Sequence, residues 1–480
     1  MSRLDRRTFL KQTAAASTTF SLFTIAGTQA SGKVLGANDT IRLGVAGING
    51  RGKSHIDAFA KMKGVEVTYL IDPDSRLFEP RGNMVTSAGG NRPQCVQDIR
   101  KALEDDNLDA VSVATCNHWH SLITIWACQA GKDVYVEKPL SHNVFEGRQA
   151  VAAARKHNRI VQHGTQSRSS QDDARDIAAA QSGKYGKLLV SKGYASKPRW
   201  SIKHKPNGTP PAELDFNLWL GPAPEQPYHE NLVHYNWHWF WDTGNGEIGN
   251  QGVHQMDLAR WAIPGATLPK QVWSLGGRFA VDDQGQTPNT QMAVFDYGDV
   301  QLVFEVCGLV EEKSKTPRKV TNEYYTEEGM ISEGKFYPRK GGTAEPLSNV
   351  SPLVRPGGPF GNFIDAVRSR SSETLNADVL EGHYSSALCH LANISYRLGQ
   401  PAPFNPRTKQ IGDNSEVVAS YEAIEANLRD GVGVKLDGLN YQLGRTLKVD
   451  PQGEKFVDDD EANRMLTRDY RAPFVVPQTI

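Results

Sequence analysis

The sequence is poor in cysteine, balanced in charge and, after its first thirty residues, without a long apolar run. Its five cysteines are an odd number with no Cys-x-x-Cys pair, which argues against a disulfide framework and a zinc site, so we expect no bound metal. Lysine plus arginine and aspartate plus glutamate both total 54, so the charge balance gives no indication of a nucleic-acid partner. No later segment is apolar over enough residues to cross a bilayer, and we expect no stable membrane insertion.

The first 30 residues have the composition of an export signal. Arg6 and Arg7 begin the string RRTFLK, and the mildly apolar stretch AAASTTFSLFTIAG at 14–27 is too short to span a bilayer. Small residues for cleavage follow as TQA at 28–30. RRTFLK resembles the twin-arginine signal, which is read by an export machinery that carries folded proteins. We therefore predict a periplasmic protein whose signal covers residues 1–30; the alternative is a chance basic N-terminus on a cytoplasmic protein.

From about residue 40, short β-branched runs alternate with amphipathic stretches, as in TIRLGVAG, SHIDAFAKM and VEVTYLID. This alternation predicts βαβ units and a doubly wound parallel sheet over residues 40–165. After about residue 185, strands such as TQMAVFDYG and DVQLVFEVCG follow one another without long helices. They predict an α/β domain with an open, mostly antiparallel sheet over residues 166–400. Residues 401–480 form a C-terminal extension to which the sequence assigns no role.

The string LGVAGINGRG carries a glycine pattern that is typical of dinucleotide-binding turns. Gly47, Asn49 and Gly52 occupy the three positions of G-x-G-x-x-G, and Asn tolerates a left-handed backbone better than most residues. Asp72 ends the next strand 25 residues after Gly47, where a carboxylate accepts hydrogen bonds from an adenosine ribose and repels a 2′-phosphate. The pattern therefore favours NAD over NADP; a glycine turn that serves another ligand is the alternative.

A second pattern, ATCNHWHSLITIWACQAGKDVYVEKPLS at 114–141, resembles the Gfo/Idh/MocA family, named for glucose-fructose oxidoreductase, inositol dehydrogenase and a rhizopine-catabolism protein. The resemblance extends from about Ile41 to Gly399. It implies a Rossmann domain, an α/β domain whose sheet often makes oligomer contacts in a homodimer or homotetramer, and NAD(P)-dependent chemistry on sugars or polyols. Lys138 matches the lysine that such enzymes place beside the nicotinamide, where an ammonium stabilises the alkoxide that develops as hydride leaves.

The family's second catalytic pattern resembles D-x-x-x-H on one helix, and the matching residues are Asn250 and His254 in GNQGVHQMD. Histidine suits the role because its ordinary pKa lies near neutrality and oxidation of a carbinol requires a proton acceptor. Asn250 cannot accept that proton, and we expect it to orient the substrate or the imidazole. The alternative for His254 is a core histidine that is satisfied by Asp257 or by the backbone.

The remaining predicted contacts divide between the two sides of one cleft. The cofactor side is predicted to comprise residues of the glycine turn and the strand ends: Gly47, Asn49, Gly50, Arg51, Gly52, Asp72, Thr115, Asn117, His120, Glu137, Lys138 and Gln166. The substrate side is predicted to comprise mostly aromatic and charged residues: Lys192, Trp200, Tyr235, Trp237, Trp239, Asn250 and Asp257. The aromatic residues of YNWHWFWD can form part of a core or stack on the apolar faces of pyranose rings.

Together these features predict a periplasmic, NAD-dependent oxidoreductase that acts on a hydroxyl of a sugar or polyol. Because an exported enzyme has no pool of free NAD to draw on, we expect the cofactor to be tightly bound and recycled in place. A second hypothesis is a glycosidase that keeps NAD bound and acts by transient oxidation, elimination and hydration. A third is a non-catalytic sensor of sugar or cofactor, against which Lys138 and His254 argue.

Overall fold

The computed structural model describes residues 40–352 and 354–480. The predicted signal at 1–30 lies outside the described residues and stays a prediction. Within the described ranges, no helix is both long enough and apolar enough to cross a bilayer. Each of the five cysteines is a free thiol.

The first domain is a six-stranded parallel sheet with helices on both faces, which confirms the predicted doubly wound fold. The strands are β1 (Ile41–Ala46), β2 (Val65–Ile71), β3 (Gln94–Val96), β4 (Ala110–Val113), β5 (Asp133–Val136) and β6 (Val161–His163). The helices are α1 (Gly52–Ala60), α2 (Phe78–Ser87), α3 (Ile99–Leu103), α4 (Asn117–Gln129) and α5 (Val144–Lys156). The strand order β3-β2-β1-β4-β5-β6 reverses direction between β1 and β4, which is where such sheets bind ligands.

The second domain is built on a large, mostly antiparallel sheet, also as predicted. Its strands are β7 (Leu188–Ser196), β8 (Gln271–Gly277), β9 (Thr290–Asp296), β10 (Gln301–Cys307), β11 (Lys319–Thr326), β12 (Gly329–Ser332), β13 (Lys335–Pro338) and β14 (Glu345–Pro346). Its helices are α6 (Gln171–Gln181), α7 (Phe216–Leu220), α8 (Gly246–Asn250), α9 (Gly252–Trp261) and α11 (Val379–Arg397). The intervening α10 (Gly358–Ser369) packs in the apolar core of the first domain's sheet. β9 and β10 form the hairpin expected from the Gly-Asp turn, while β10 and β7 run parallel.

The segment after residue 400 is integral to the second domain. It contains β15 (Gln400–Pro403), β16 (Asn440–Leu443), β17 (Leu447–Asp450) and β18 (Lys455–Phe456), with helices α12 (Ser415–Ala426) and α13 (Asp460–Arg464). β16 and β17 both pair with β8 and so widen the sheet. α12 packs across β9 and β10, and its Tyr421 is fully buried against Phe404 and Tyr441. This segment covers one part of the sheet face.

The final residues return to the first domain. Phe474 and Val476 are buried in the apolar core that α4 and α5 form with the parallel sheet. The ring of Phe474 packs edge-on against Trp119 at 5.4 Å between centroids. Arg471 donates from Nε to the carbonyl oxygen of Gly221 at 3.0 Å, which ties the same segment to the loop after α7. The tail therefore joins the two domains beside the cleft that lies between them.

Candidate active site

The glycine turn after β1 has a backbone that only glycine fits. Gly47 has a φ of +79°, and a Cβ there would lie 2.5 Å from the carbonyl group of Ala114. A Cβ at Gly52 would lie 1.9 Å from the carbonyl oxygen of Gly47, so the first turn of α1 packs directly on the end of β1. A Cβ at Gly50 would meet nothing within 4 Å, since this residue faces the open cleft. The turn therefore fits a pyrophosphate at the N-terminus of α1.

Asp72 holds the turn and also faces the cleft. Its Oδ2 accepts a hydrogen bond from the backbone N–H of Ile48 at 2.9 Å, and its Oδ1 accepts one from Asp74 at 3.0 Å. Burial raises the pKa of Asp72 to about 6. Asp74 is engaged by Arg76 and by His234 Nε2 at 2.8 Å, so Asp72 is the carboxylate left for an adenosine ribose. Each oxygen of Asp72 keeps a lone pair for that purpose.

The cleft lies at the carboxyl ends of β1, β2, β4 and β5, and the second domain forms its opposite wall. From the first domain, its lining includes Gly47, Asn49, Gly50, Arg51, Asp72, Thr115, Asn117, His120, Glu137 and Lys138. From the second domain, its lining includes Trp219, His234, Tyr235, Trp237, His238 and Asn250. The structure thus gathers most residues predicted for the cofactor side, while their individual contacts to a cofactor stay predictions.

Glu137 is a buried anchor at the base of the cleft. Its Oε1 accepts hydrogen bonds from His55 at 3.0 Å, Arg51 at 2.8 Å and Gln166 at 2.9 Å. Burial alone would raise its pKa, but the His55 hydrogen bond and the charges of Arg51 and Lys138 hold that pKa well below its ordinary value. Glu137 is therefore an anion that fixes the neighbouring Lys138, and Gln166 serves this anchor instead of lining the cleft.

His120 and Asn117 brace the cofactor wall. The two ring nitrogens of His120 lie 2.6 Å from the carbonyl oxygen of Pro139 and 3.0 Å from that of Thr115. Asn117 donates to Asn245 Oδ1 at 2.9 Å and so connects α4 to the second domain. These contacts fix the strand ends that carry Thr115 and Lys138.

Lys138 projects from the first domain toward the second. Its Nζ donates to the carbonyl oxygen of Asn250 at 2.9 Å, and Asn250 Oδ1 lies 3.4 Å away. Burial lowers the pKa of Lys138, and the nearby carboxylates of Glu137 and Glu247 oppose that shift. A buried ammonium with a lowered pKa gives up its proton more readily than an exposed lysine.

Two histidines lie near Lys138, and they are placed differently. His254 has a pKa lowered to about 3 by burial and by the charge of Lys138, but it is absent from the cleft lining. His238 does line the cleft, and its Nδ1 lies 2.5 Å from the carbonyl oxygen of Tyr235. Because a carbonyl only accepts, Nδ1 carries the proton and Nε2 is left as an acceptor. Burial lowers the pKa of His238 to about 3 as well, which keeps it neutral.

His238 was missed as a catalytic candidate, although it sits inside the aromatic string YNWHWFWD. Trp237 stacks on its ring with centroids 3.6 Å apart and an interplanar angle of 19°. Tyr235 is 53% exposed on the cleft wall. The apolar environment of that string was the available signal, because a histidine held among aromatic rings keeps a lowered pKa.

Four residues predicted for the substrate side lie outside the cleft lining. Ser191 faces α9, so its neighbour Lys192 points to the opposite face of β7, where it pairs with Glu305 at 3.0 Å. Trp200 donates to the carbonyl oxygen of Val310 at 3.3 Å and packs with the α12 core.

The other two are held by buried cations. Asp257 pairs with Arg168 at 2.8 Å and accepts from Ser385 at 2.6 Å, since a buried carboxylate requires partners. Trp239 is buried beneath the guanidinium of Arg199, 5.6 Å from its ring centroid. Both side chains lie outside the cleft lining, and their predicted contact with a substrate stays a prediction.

A nucleotide-binding domain of this kind, joined across a cleft to a mixed sheet, defines a two-domain NAD-binding oxidoreductase. Residues 41–165 match the model of an oxidoreductase family with an NAD-binding Rossmann fold, and residues 187–422 match that family's C-terminal alpha/beta domain. The two matches cover about three quarters of the chain. The chain belongs to the Gfo/Idh/MocA family of oxidoreductases.

Among curated proteins, the chain is 28% identical over 183 residues to a glycosyl hydrolase family 109 protein of Shewanella pealeana. The match covers 37% of this chain and 40% of that protein, so the chain spans less than half the length of such relatives. Among solved structures, it is 18% identical to the WlbA dehydrogenase of Bordetella pertussis in complex with NADH and UDP-GlcNAcA, with a TM-score of 0.52 over 73% of this chain and 94% of that one.

A second solved structure, levoglucosan dehydrogenase in complex with NADH and levoglucosan, is 16% identical to the chain. Its TM-score is 0.54 over 73% of this chain and 95% of that one. At these identities the likeness shows the fold.

Proposed function

We propose that the protein oxidises a hydroxyl group of a sugar or polyol, with NAD held between the glycine turn and Lys138. The observation that carries this proposal is the placement of Lys138, whose Nζ lies where the nucleotide wall meets the aromatic wall of the cleft. Gly47, Gly50 and Asp72 would hold the pyrophosphate and the ribose. When bound, NAD supplies a nicotinamide ring that accepts hydride from the substrate carbon.

The chain's own residues handle the substrate and its proton. Lys138 donates a hydrogen bond to the reacting hydroxyl and stabilises the negative charge that develops on its oxygen. His238 faces the cleft as a neutral imidazole with an acceptor nitrogen, and its position favours it over His254 as the proton acceptor. Tyr235 and Trp237 present aromatic surface for the apolar face of a sugar ring.

We further propose that the cofactor is bound before export and stays with the protein. The string RRTFLK supports export of a folded chain to the periplasm. An enzyme outside the cytoplasm with ordinary micromolar affinity for NAD would lose it by mass action. Retained NAD must be returned to its starting state in place, either by a second sugar or within one catalytic cycle.

A glycosidase is the second candidate function, and the family 109 relatives favour it. In such a cycle a sugar hydroxyl is oxidised to a ketone, a base removes a proton from the carbon beside the ketone, and the glycosidic substituent leaves from the next carbon. Water then adds to the resulting double bond, and the ketone is reduced. The same proton-handling groups serve both reactions. The difference is that the glycosidase releases an aglycone, whereas the oxidoreductase leaves an oxidised sugar or polyol.

The test begins with protein purified from the periplasm, gel-filtered well below micromolar concentration and denatured, so that released NAD(H) can be measured by mass spectrometry. We expect near-stoichiometric nucleotide. The intact protein is then mixed with levoglucosan, with free hexoses and with nitrophenyl glycosides. Formation of NADH on the protein supports the oxidoreductase, and nitrophenol release without added NAD supports the glycosidase. An empty protein that needs NAD at every turnover would overturn the retained cofactor.

A further inference from the structure

Glu247 is a buried carboxylate on α8, three residues before Asn250. Its Oε2 accepts a hydrogen bond from Asn250 Nδ2 at 3.0 Å and another from Arg199 Nε at 2.7 Å. Its Oε1 is buried and has no hydrogen-bond partner among the described residues. Nothing in the predicted catalytic pattern accounts for this acid.

Asn250 bridges Glu247 and Lys138 in one orientation of its amide. A carboxylate only accepts hydrogen bonds and an ammonium only donates them. The amide nitrogen must therefore face Glu247, and the amide oxygen must face Lys138, as the distances of 3.0 Å and 3.4 Å show. The three side chains form a continuous row of carboxylate, amide and ammonium.

We propose that Glu247 is a positioning residue that supplies, through Asn250, the negative charge which the D-x-x-x-H pattern would carry at position 250. The inference rests on the proposed function in one respect, namely that the ammonium of Lys138 hydrogen-bonds the reacting hydroxyl. Glu247 itself does not reach the cleft lining. It acts by orienting the amide of Asn250 and by stabilising the ammonium of Lys138.

The row explains why position 250 is an asparagine. An aspartate there would place two carboxylates at hydrogen-bond distance from each other, and one of them would take up a proton. The amide avoids this repulsion and still accepts a hydrogen bond from Lys138. Compared with the family pattern, the carboxylate is therefore carried by residue 247 instead of residue 250.

The charge of Glu247 acts on a Lys138 that also faces other groups. The ionisable groups around it are Glu137, Glu247, Arg51, Lys197, His120, His238, His254 and Cys389. Burial lowers the pKa of Lys138, whereas Glu137 and Glu247 raise it. Removing the charge of Glu247 also leaves the Arg199 cation unpaired nearby, so both effects lower the pKa of Lys138 further.

The test measures the pKa of Lys138 directly, by labelling the protein as purified with a trace of acetic anhydride across a range of pH. Mass spectrometry of the peptide that contains Lys138 gives its labelling midpoint, with the exposed Lys61 as an internal reference. We expect Glu247→Gln to move the midpoint down by about one pH unit. Asn250→Asp should leave the midpoint near the wild-type value, because Glu247 and the new carboxylate at position 250 would then share one proton, and the double variant E247Q/N250D, which keeps a single carboxylate, should also stay near it.

An unchanged midpoint in a folded Glu247→Gln protein would overturn the proposal, because a residue that only supports the fold does not change the Lys138 pKa. If Glu247→Gln does not fold, the other two variants still test the proposal: both midpoints stay near the wild-type value only if Glu247 and residue 250 share one negative charge, and a rise in both would contradict it. The labelling does not depend on substrate turnover. A result that contradicts the role of Glu247 can therefore be told apart from failure of the proposed oxidation, which the NADH measurement reports.

Discussion

In the nucleotide half of the cleft, the backbone of residues 47–52 forms the binding surface, and one carboxylate follows it at Asp72. In the substrate half, side chains come from the end of β5, from α7 and from the segment 234–250. The first half depends on local conformation, whereas the second depends on contacts between distant parts of the chain. The two halves should therefore fail in different ways: the first through lost cofactor, the second through lost chemistry.

Replacing Lys138 should have the largest effect on the rate of hydride transfer, and it should not affect NAD binding. We expect Lys138→Ala to lower single-turnover reduction of bound NAD by about 100-fold or more, the scale for loss of a positioned acid or base. The NAD content should stay that of the wild type. Lys53→Ala, which removes an exposed lysine of α1, is the control and should leave the rate unchanged. Near-normal NAD reduction by the Lys138 variant would contradict the assignment of the chemical step to the substrate half of the cleft.

Glycine replacements in the turn should affect the cofactor and separate two kinds of damage. At Gly47 a methyl group meets the Ala114 carbonyl and the backbone has a positive φ, so Gly47→Ala should destabilise the fold by about 2–4 kcal/mol and abolish NAD retention. Gly50→Ala introduces the same group into open space and should leave the melting temperature unchanged. Equal melting temperatures for the two variants would contradict this account of the turn.

Asp72→Asn should have a smaller effect, on NAD affinity and its pH dependence. The ribose hydroxyls donate to the ionised carboxylate, so NAD binding should weaken as the pH falls through the Asp72 pKa of about 6. We expect the variant to bind NAD about tenfold more weakly above that pH, to lose the pH dependence and to discriminate less against NADP. Calorimetric titration of protein stripped of its nucleotide, at several pH values, measures this, with the exposed Asp57→Asn as the control. The same pH dependence in both variants would place the ribose contact elsewhere.

The smallest expected effect is a difference in the KM for the sugar between replacements of two tryptophans, both of which were predicted to lie on the substrate side. Trp237→Leu should raise the KM for the sugar severalfold because its ring lines the cleft, and aromatic contacts are worth about 1 kcal/mol. Trp200→Leu should leave KM within about twofold, since Trp200 packs under α12. Both values come from the rate of NAD reduction against sugar concentration. A larger effect at Trp200 would mean that the cleft extends to that face of the sheet.

The nucleotide half could be predicted from the sequence because its determinants are local. A strand, a glycine turn and a helix within about twenty residues fix the geometry around Gly47 and Gly52, and the next strand end fixes Asp72. The capping of α5 was predictable for the same reason: Asn143 accepts from the backbone of Glu146 at 2.9 Å.

The substrate half could be predicted only in part. The sequence places Asn250 and Lys138 in the site by resemblance, but it does not show that Asp257 pairs with Arg168, 89 residues away. Nor does it show which face of β7 carries Lys192, because both faces of that strand are covered. Tertiary packing determines which buried cation pairs with which distant carboxylate, and no local sequence pattern indicates that pairing.

The segment that carries Phe474 also determines when, during synthesis, the core of the first domain becomes fully covered. The nucleotide-binding domain is made first, but Phe474 is joined to its core more than three hundred residues later in the chain, against a tryptophan of the cleft wall. Contacts at such separation form late in folding. A nascent chain that ends within the second domain therefore carries an uncovered apolar surface on α4 and an unsupported Trp119. The wall of the cleft that carries Trp119 is therefore completed only after Phe474 has been synthesised.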